Sequence, residues 1–296
     1  MTKVRVLDGG MGRELKRIGA PFRQPEWSAL ALLEGPQYVG LAHRNFIDAG
    51  ASIITTNSYA VVPFHIGQPR FDAQGRELAA LAGSVARETA DKTGRPVTVA
   101  GSLPPALGSY RPDLFEENQS VAIHKTLIAG LSPYVDVWLA ETQSSIAEVK
   151  AARKALGDDP KPFWVSFTLD DEPEDGPALR SGDAVADAVQ AALEMNAQAI
   201  LFNCSQPEVM ADAVDAARAV IKATGNSAEI GVYANAFPPT PKDAKANETL
   251  DELRPDLTPE NYAKWAKAWS DHGATIIGGC CGIAPEHIAA LAKALA

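Results

Sequence analysis

Eight short runs rich in apolar and β-branched residues recur along the chain, at 4–8, 52–56, 97–101, 136–141, 163–168, 198–203, 230–235 and 274–278. Their lengths and flanks match strands buried on both faces. Between them lie stretches of helical periodicity, such as 184–195 and 208–223. Asp183, Ser205 and Thr258 stand where N-caps are expected, Pro207 and Pro259 where a first turn tolerates proline, and Gly225 and Gly273 where a helix can end. Repeated strand and helix imply parallel pairing with right-handed crossovers, and eight is the number at which such a sheet closes. The pattern predicts an α/β fold, a (β/α)8 TIM barrel occupying 1–296 as a single domain. A doubly wound open sheet is the alternative if one strand is miscounted.

In such a barrel the C-terminal ends of the strands build the site and the opposite face serves stability. The expected loops after the second, third, fifth and seventh strands are long and proline-rich, for example 101–113 and 237–255. The acidic run 170–175 reads as solvated loop or as part of a lid.

All three cysteines fall at strand ends. Cys204 follows the sixth run, and Cys280 and Cys281 follow the eighth in Ile-Ile-Gly-Gly-Cys-Cys-Gly. A barrel mouth can bring thiols from two nearby strands to one ion. Thiolate sulfur suits a zinc ion (Zn²⁺), and three protein ligands leave a fourth tetrahedral position open for substrate. Two other uses of these cysteines are open: small buried apolar residues, or a vicinal disulfide pair, which leaves Cys204 without a purpose. The histidines sit on expected helices and loops, so no histidine ligand is predicted.

Asp8 ends the first run in Leu-Asp-Gly-Gly-Met-Gly and Glu141 ends the fourth in Leu-Ala-Glu-Thr-Gln. Either carboxylate can hold the ammonium of an amino-acid substrate, while backbone N–H groups at Gly9 and Gly10 can receive its carboxylate. For Asp8 plain turn chemistry is the alternative. Thr56, Asn57, Ser102, Thr168 and Asn235 also stand at strand ends, as pocket lining or as structural hydrogen-bonding groups.

Composition narrows the partners. The chain of 296 residues is 46% apolar and 22% charged, enough to bury a large core without disulfide staples, and its formal charge is −10. With that charge and no basic stripe, nucleic-acid binding is not expected; small-molecule substrates are. No apolar run is long enough for a signal peptide or a bilayer span, so a cytoplasmic protein with no membrane partner is expected.

These residues resemble the homocysteine S-methyltransferase family, through Leu7-Asp8-Gly9-Gly10-Met11-Gly12, Asn203-Cys204 and above all Gly278-Gly279-Cys280-Cys281-Gly282. Thr56-Asn57-Ser58-Tyr59, Glu141-Thr142 and the start Ala284-Pro285-Glu286-His287-Ile288 appear in the same order, so the resemblance spans nearly the whole chain. It implies an eight-stranded barrel, a zinc ion on Cys204, Cys280 and Cys281, and homocysteine methylated to methionine, with Asp8, Gly9 and Glu141 holding the amino acid. A free thiol, with a pKa of about 8.5, is mostly protonated at neutral pH, and zinc removes that proton. Trp27-Ser28-Ala29 is similar to the short members that use S-methylmethionine or S-adenosylmethionine. Ser102-Leu103-Pro104-Pro105 and Phe237-Pro238-Pro239 differ from the family pattern. Those departures motivate two alternatives: a selenocysteine or other thiol acceptor, or a non-catalytic zinc- or thiol-binding barrel serving a corrinoid methyltransferase.

Overall fold

Each of the eight apolar runs contains a strand in the computed structural model, which describes residues 4–239 and 252–296. The strands are β1 Arg5–Val6, β2 Ile53–Thr55, β3 Thr98–Leu103, β4 Val137–Gln143, β5 Phe163–Phe167, β6 Ala199–Asn203, β7 Glu229–Tyr233 and β8 Ile276–Ile277. All pair in parallel, in the order β1-β8-β7-β6-β5-β4-β3-β2. The remaining gap is bridged by Leu7 against Ile53 and by the Ser52 N–H donating to the Val6 carbonyl at 2.8 Å. The fold is therefore the (β/α)8 barrel, and the open-sheet alternative is excluded. Most of the loop expected at 237–255 lies outside the described residues. Among the described residues no helix is long and apolar enough to cross a membrane.

Successive residues of a strand point to opposite faces, and here the two faces meet different cores. Leu139, Ala100, Leu201, Trp164 and Tyr233 belong to a cluster that fills the barrel, against which Cys280 packs. Their neighbours Trp138, Val99, Ile200, Val165 and Val232 face the surrounding helices. That phase carries polar residues to the top of the interior: Ser102 lies two residues beyond Ala100, Glu141 beyond Leu139, Ser166 beyond Trp164, Asn203 beyond Leu201. All four are buried.

The expected strand ends shift where loops take over. β3 and β4 run on to Leu103 and Gln143, and the register of β4 against β5 slips between Ala140 and Gln143, where Thr142 has φ +59°. Of the expected N-caps, Thr258 accepts the Asn261 N–H at 3.3 Å. Asp183 does not cap the helix Val185–Glu194, since its carboxylate accepts the Ile146 N–H at the start of the helix Ile146–Leu156. Ser205 is drawn away from its own helix too, its hydroxyl accepting the Leu169 N–H at 2.8 Å. In both cases the side-chain oxygen is taken by a backbone N–H of a neighbouring segment.

Candidate functional site

Cys204 follows β6 directly, in a left-handed conformation (φ +52°) that turns its side chain into the mouth. Its N–H donates to the Tyr233 carbonyl at 3.2 Å, while the Cys280 N–H donates to Ala234 at 2.9 Å and the Ala236 N–H to Cys281 at 2.8 Å. β7 thus splints Cys204 to the cysteine pair. The Tyr262 hydroxyl donates to the carbonyls of Gly278 (2.8 Å) and Ala234 (3.1 Å), which fixes the same two backbones from the helix side.

The three thiols are free, and their sulfurs lie within 4.8 Å of one another. Cys204 Sγ is 2.6 Å from Cys280 Sγ and 3.7 Å from Cys281 Sγ. At a zinc–sulfur distance of about 2.3 Å, tetrahedral geometry sets sulfurs roughly 3.8 Å apart. One separation already fits, and the other must open by about an ångström to admit such an ion. Three sulfurs this close, one buried and two half-buried, cannot all carry charge without a cation between them. Hydrogen bonds from Cys204 and Cys280 hold the Cys281 thiol well below its ordinary pKa, whereas the bond to Cys204 keeps Cys280 well above it. The donor set fits a thiophilic divalent ion. No other group of three or more histidine, cysteine or acidic side chains among the described residues is placed to hold a metal.

Close backbone approach explains the glycines of the turn. A Cβ on Gly279 would collide with the Ile283 side chain, and Gly282 stands at φ +84°. On the facing loop, a Cβ on Gly9 would meet the Ile283 carbonyl at 2.5 Å and one on Gly10 the Cys280 carbonyl at 2.6 Å. The Gly10 N–H donates to Ile283 at 2.9 Å, which removes it from the donors expected to meet a substrate carboxylate.

Both expected carboxylates are buried at this mouth. Asp8 accepts the Thr55 N–H at 2.8 Å and the Thr55 hydroxyl at 3.2 Å. Glu141 accepts Ser102 Oγ at 2.5 Å and the Tyr233 hydroxyl at 3.3 Å. Burial pushes the Glu141 carboxyl up to about 7, and the nearby Cys204 charge adds to it. Asp8 is likewise held well above the carboxylate range by burial, partly offset by the Thr55 N–H, with the Glu141 charge adding. Two buried carboxyl groups at one mouth are an arrangement that can receive a cation.

Ser102 thus positions Glu141. Asn57 gives its side-chain N–H to the Ser28 carbonyl at 3.0 Å, tying the loop after β2 to the segment before the helix Ala29–Glu34. Asn235 accepts the Phe237 N–H at 3.2 Å and Gln206 Nε2 at 3.4 Å, a turn-forming role beside the site. Thr56 and Thr168 bond Ser58 and Ser205 hydroxyls at 2.9 and 3.2 Å. Asp171 of the acidic run is not solvated: its side chain is 2% exposed, it lies 3.8 Å from Arg180, and it accepts the Gln206 N–H at 2.8 Å. Glu174 and Asp175 are exposed, as expected of a loop.

Several site residues escape the sequence reading. Asn203 accepts Ser166 Oγ and donates to Thr142 Oγ1, both at 2.7 Å, and reaches Cys280 Sγ at 3.9 Å. Tyr233 and Ser166 carry a readable signal, since each continues the every-second-residue phase that fills the barrel. Tyr110 and Arg180 carry none, because loops bring them in.

The sequence model of the family described as homocysteine S-methyltransferase matches residues 5–295. A selenocysteine methyltransferase of Astragalus bisulcatus is 26% identical over 333 residues, covering 99% of this chain and 93% of its own. The homocysteine S-methyltransferase YbgG of Bacillus subtilis is 27% identical over 307 residues, covering 97% and 93%. Among solved structures, the metallated form of the homocysteine methyltransferase MmuM from Escherichia coli superposes with a TM-score of 0.79 at 26% identity, covering 98% of this chain and 96% of that one.

Proposed function

The chain belongs to the homocysteine S-methyltransferase family, and from that premise we propose that it moves a methyl group from a sulfonium donor, S-methylmethionine or S-adenosylmethionine, to the thiol of homocysteine, giving methionine. Cys204, Cys280 and Cys281 hold a zinc ion in this reading. The observation that carries it is the meeting of three sulfurs, from two stretches of chain 76 residues apart, within 4.8 Å.

A zinc ion held there would supply the positive charge that lowers the pKa of an acceptor thiol, so that its proton passes to solvent and its sulfur stays anionic at neutral pH. The protein does the rest. Asp8 and Glu141 take the acceptor's ammonium, whose charge draws both toward ionisation, and Ser102 and Tyr233 aim Glu141. Asn203 steadies Cys280, and the buried mouth keeps water from competing for the methyl group. Transfer is a single displacement: the acceptor sulfur forms a new S–C bond, the donor S–CH3 bond breaks, and its electron pair stays on the donor sulfur, now a neutral thioether. Proximity and alignment are the main contribution a rigid barrel can make to such a step.

Purified protein is expected to hold about one zinc per chain and to form methionine from homocysteine and one of the two sulfonium compounds. If Cys281→Ala kept both its zinc and its turnover, the reading would be wrong. The relative from Astragalus bisulcatus supports a second acceptor, selenocysteine. A panel of thiols and selenols with one labelled donor decides, and failure of every acceptor but homocysteine removes the second reading. Absence of turnover with both donors in zinc-replete protein favours the non-catalytic barrel.

A further inference from the structure

Five non-glycine residues among those described have positive φ, and three of them, Tyr110, Thr142 and Cys204, stand at the cysteine cluster. A bulky aromatic in the left-handed region costs on the order of 1 kcal/mol or more and persists only where its surroundings hold it. Tyr110, at φ +64°, is held firmly. Its hydroxyl donates to Cys204 Sγ at 3.1 Å, and the Arg180 guanidinium lies 4.9 Å from the centre of its ring. Arg180 sits beside the buried Asp171, and Asp171 accepts the N–H of Gln206, two residues after Cys204. Loops after β3, β5 and β6 therefore converge on one O–H···S contact.

A hydrogen bond to a ligand thiolate draws charge away from the metal and eases the crowding of negative charge at a buried centre. With three cysteines and an acceptor thiol around one divalent ion, that charge is large. The geometry points to Tyr110, locked by Arg180, as a positioning residue that tunes the donor strength of Cys204 and so the hold of the cluster on its metal and on the acceptor sulfur. This rests on the proposed metal site. Among the cysteines only Cys204 receives such a bond from a tyrosine among the described residues, at 3.1 Å, against 3.9 Å from the Asn203 amide to Cys280 Sγ.

Cobalt(II)-substituted protein reads this directly, through sulfur-to-cobalt charge-transfer bands. Tyr110→Phe removes one oxygen and keeps the ring under Arg180. It is expected to shift those bands to lower energy, to weaken metal affinity about tenfold in chelator competition, and to raise the acceptor KM more than the donor KM. Arg180→Lys keeps the charge but loses the planar stack, and is expected to shift the bands in the same direction by less. A wild-type protein without thiolate–cobalt bands would sink the metal site and this inference together. Normal bands in the wild type that Tyr110→Phe leaves superimposable, with unchanged metal affinity, would overturn this inference alone.

Discussion

In the proposed reaction two demands meet at Glu141: it must be buried to sit beside the acceptor, and charged to bind it. Burial wins and lifts its pKa from 4.5 to about 7. The sign for binding follows: below about 7 the group is neutral and offers an ammonium little, so the acceptor KM should fall as pH rises from 6 toward 8. Steady-state kinetics across that range check it. Glu141→Gln, which keeps the shape and removes the charge, should flatten the profile and raise the acceptor KM by roughly 10- to 100-fold, the worth of a charge-assisted bond. The sign for folding is opposite. Because the folded pKa lies above the unfolded one, the protonated form is the better folded one, and stability in metal-free protein should drop between about pH 4.5 and 7. Its share is at most about 3 kcal/mol. Urea titrations of wild type and Glu141→Gln at pH 5 and 7 separate that share from the rest.

Two short elements govern the positions of these groups. The first is the turn 278–283, where Gly279 touches Ile283 so closely that any side chain displaces one of them. Gly279→Ala is expected to leave the circular dichroism of the barrel nearly intact while zinc per chain falls well below one, because the turn that presents Cys280 and Cys281 must shift. Full zinc retention would show that the turn is freer than its packing implies. The second is the start of the helix Ile146–Leu156, after the strand that carries Glu141. There Ser145 accepts the Glu148 N–H and Glu148 returns the bond to the Ser145 N–H, a capping box. Ser145→Ala should cost about 1 kcal/mol. For a chain of this length that lowers Tm by about 2 °C, measurable by calorimetry.

Over the whole molecule the barrel acts as a clamp that brings distant segments of sequence together at one cysteine cluster, where the proposed function places one ion. Binding free energy is then folding free energy. Zinc at about a hundred times its Kd should stabilise the fold by about 2.7 kcal/mol, or about 4 °C in Tm for a chain this long. The Cys204→Ala/Cys280→Ala/Cys281→Ala variant should show no such rise. A zinc-induced shift that survives the triple replacement would move the metal elsewhere.

The strand count, the closed barrel and the strand-end position of all three cysteines follow from sequence alone, because a strand buried on two faces must be a continuous apolar run and a run's end is visible where it stops. Asp8 and Glu141 are legible for the same reason. The barrel phase, which sends Ser166, Asn203 and Tyr233 to the site with Glu141, is also written there, once it is known which face of each strand looks inward. Tertiary structure alone decided the remainder: that the Gly10 N–H is spent on Ile283, that Asn57 and Asn235 bind loops, that Asp171 turns inward, and that Tyr110 reaches Cys204 beneath Arg180. Apart from the short Asn235–Phe237 turn, those contacts join residues 29 to 273 positions apart, and no local periodicity records which loop bends over which strand end.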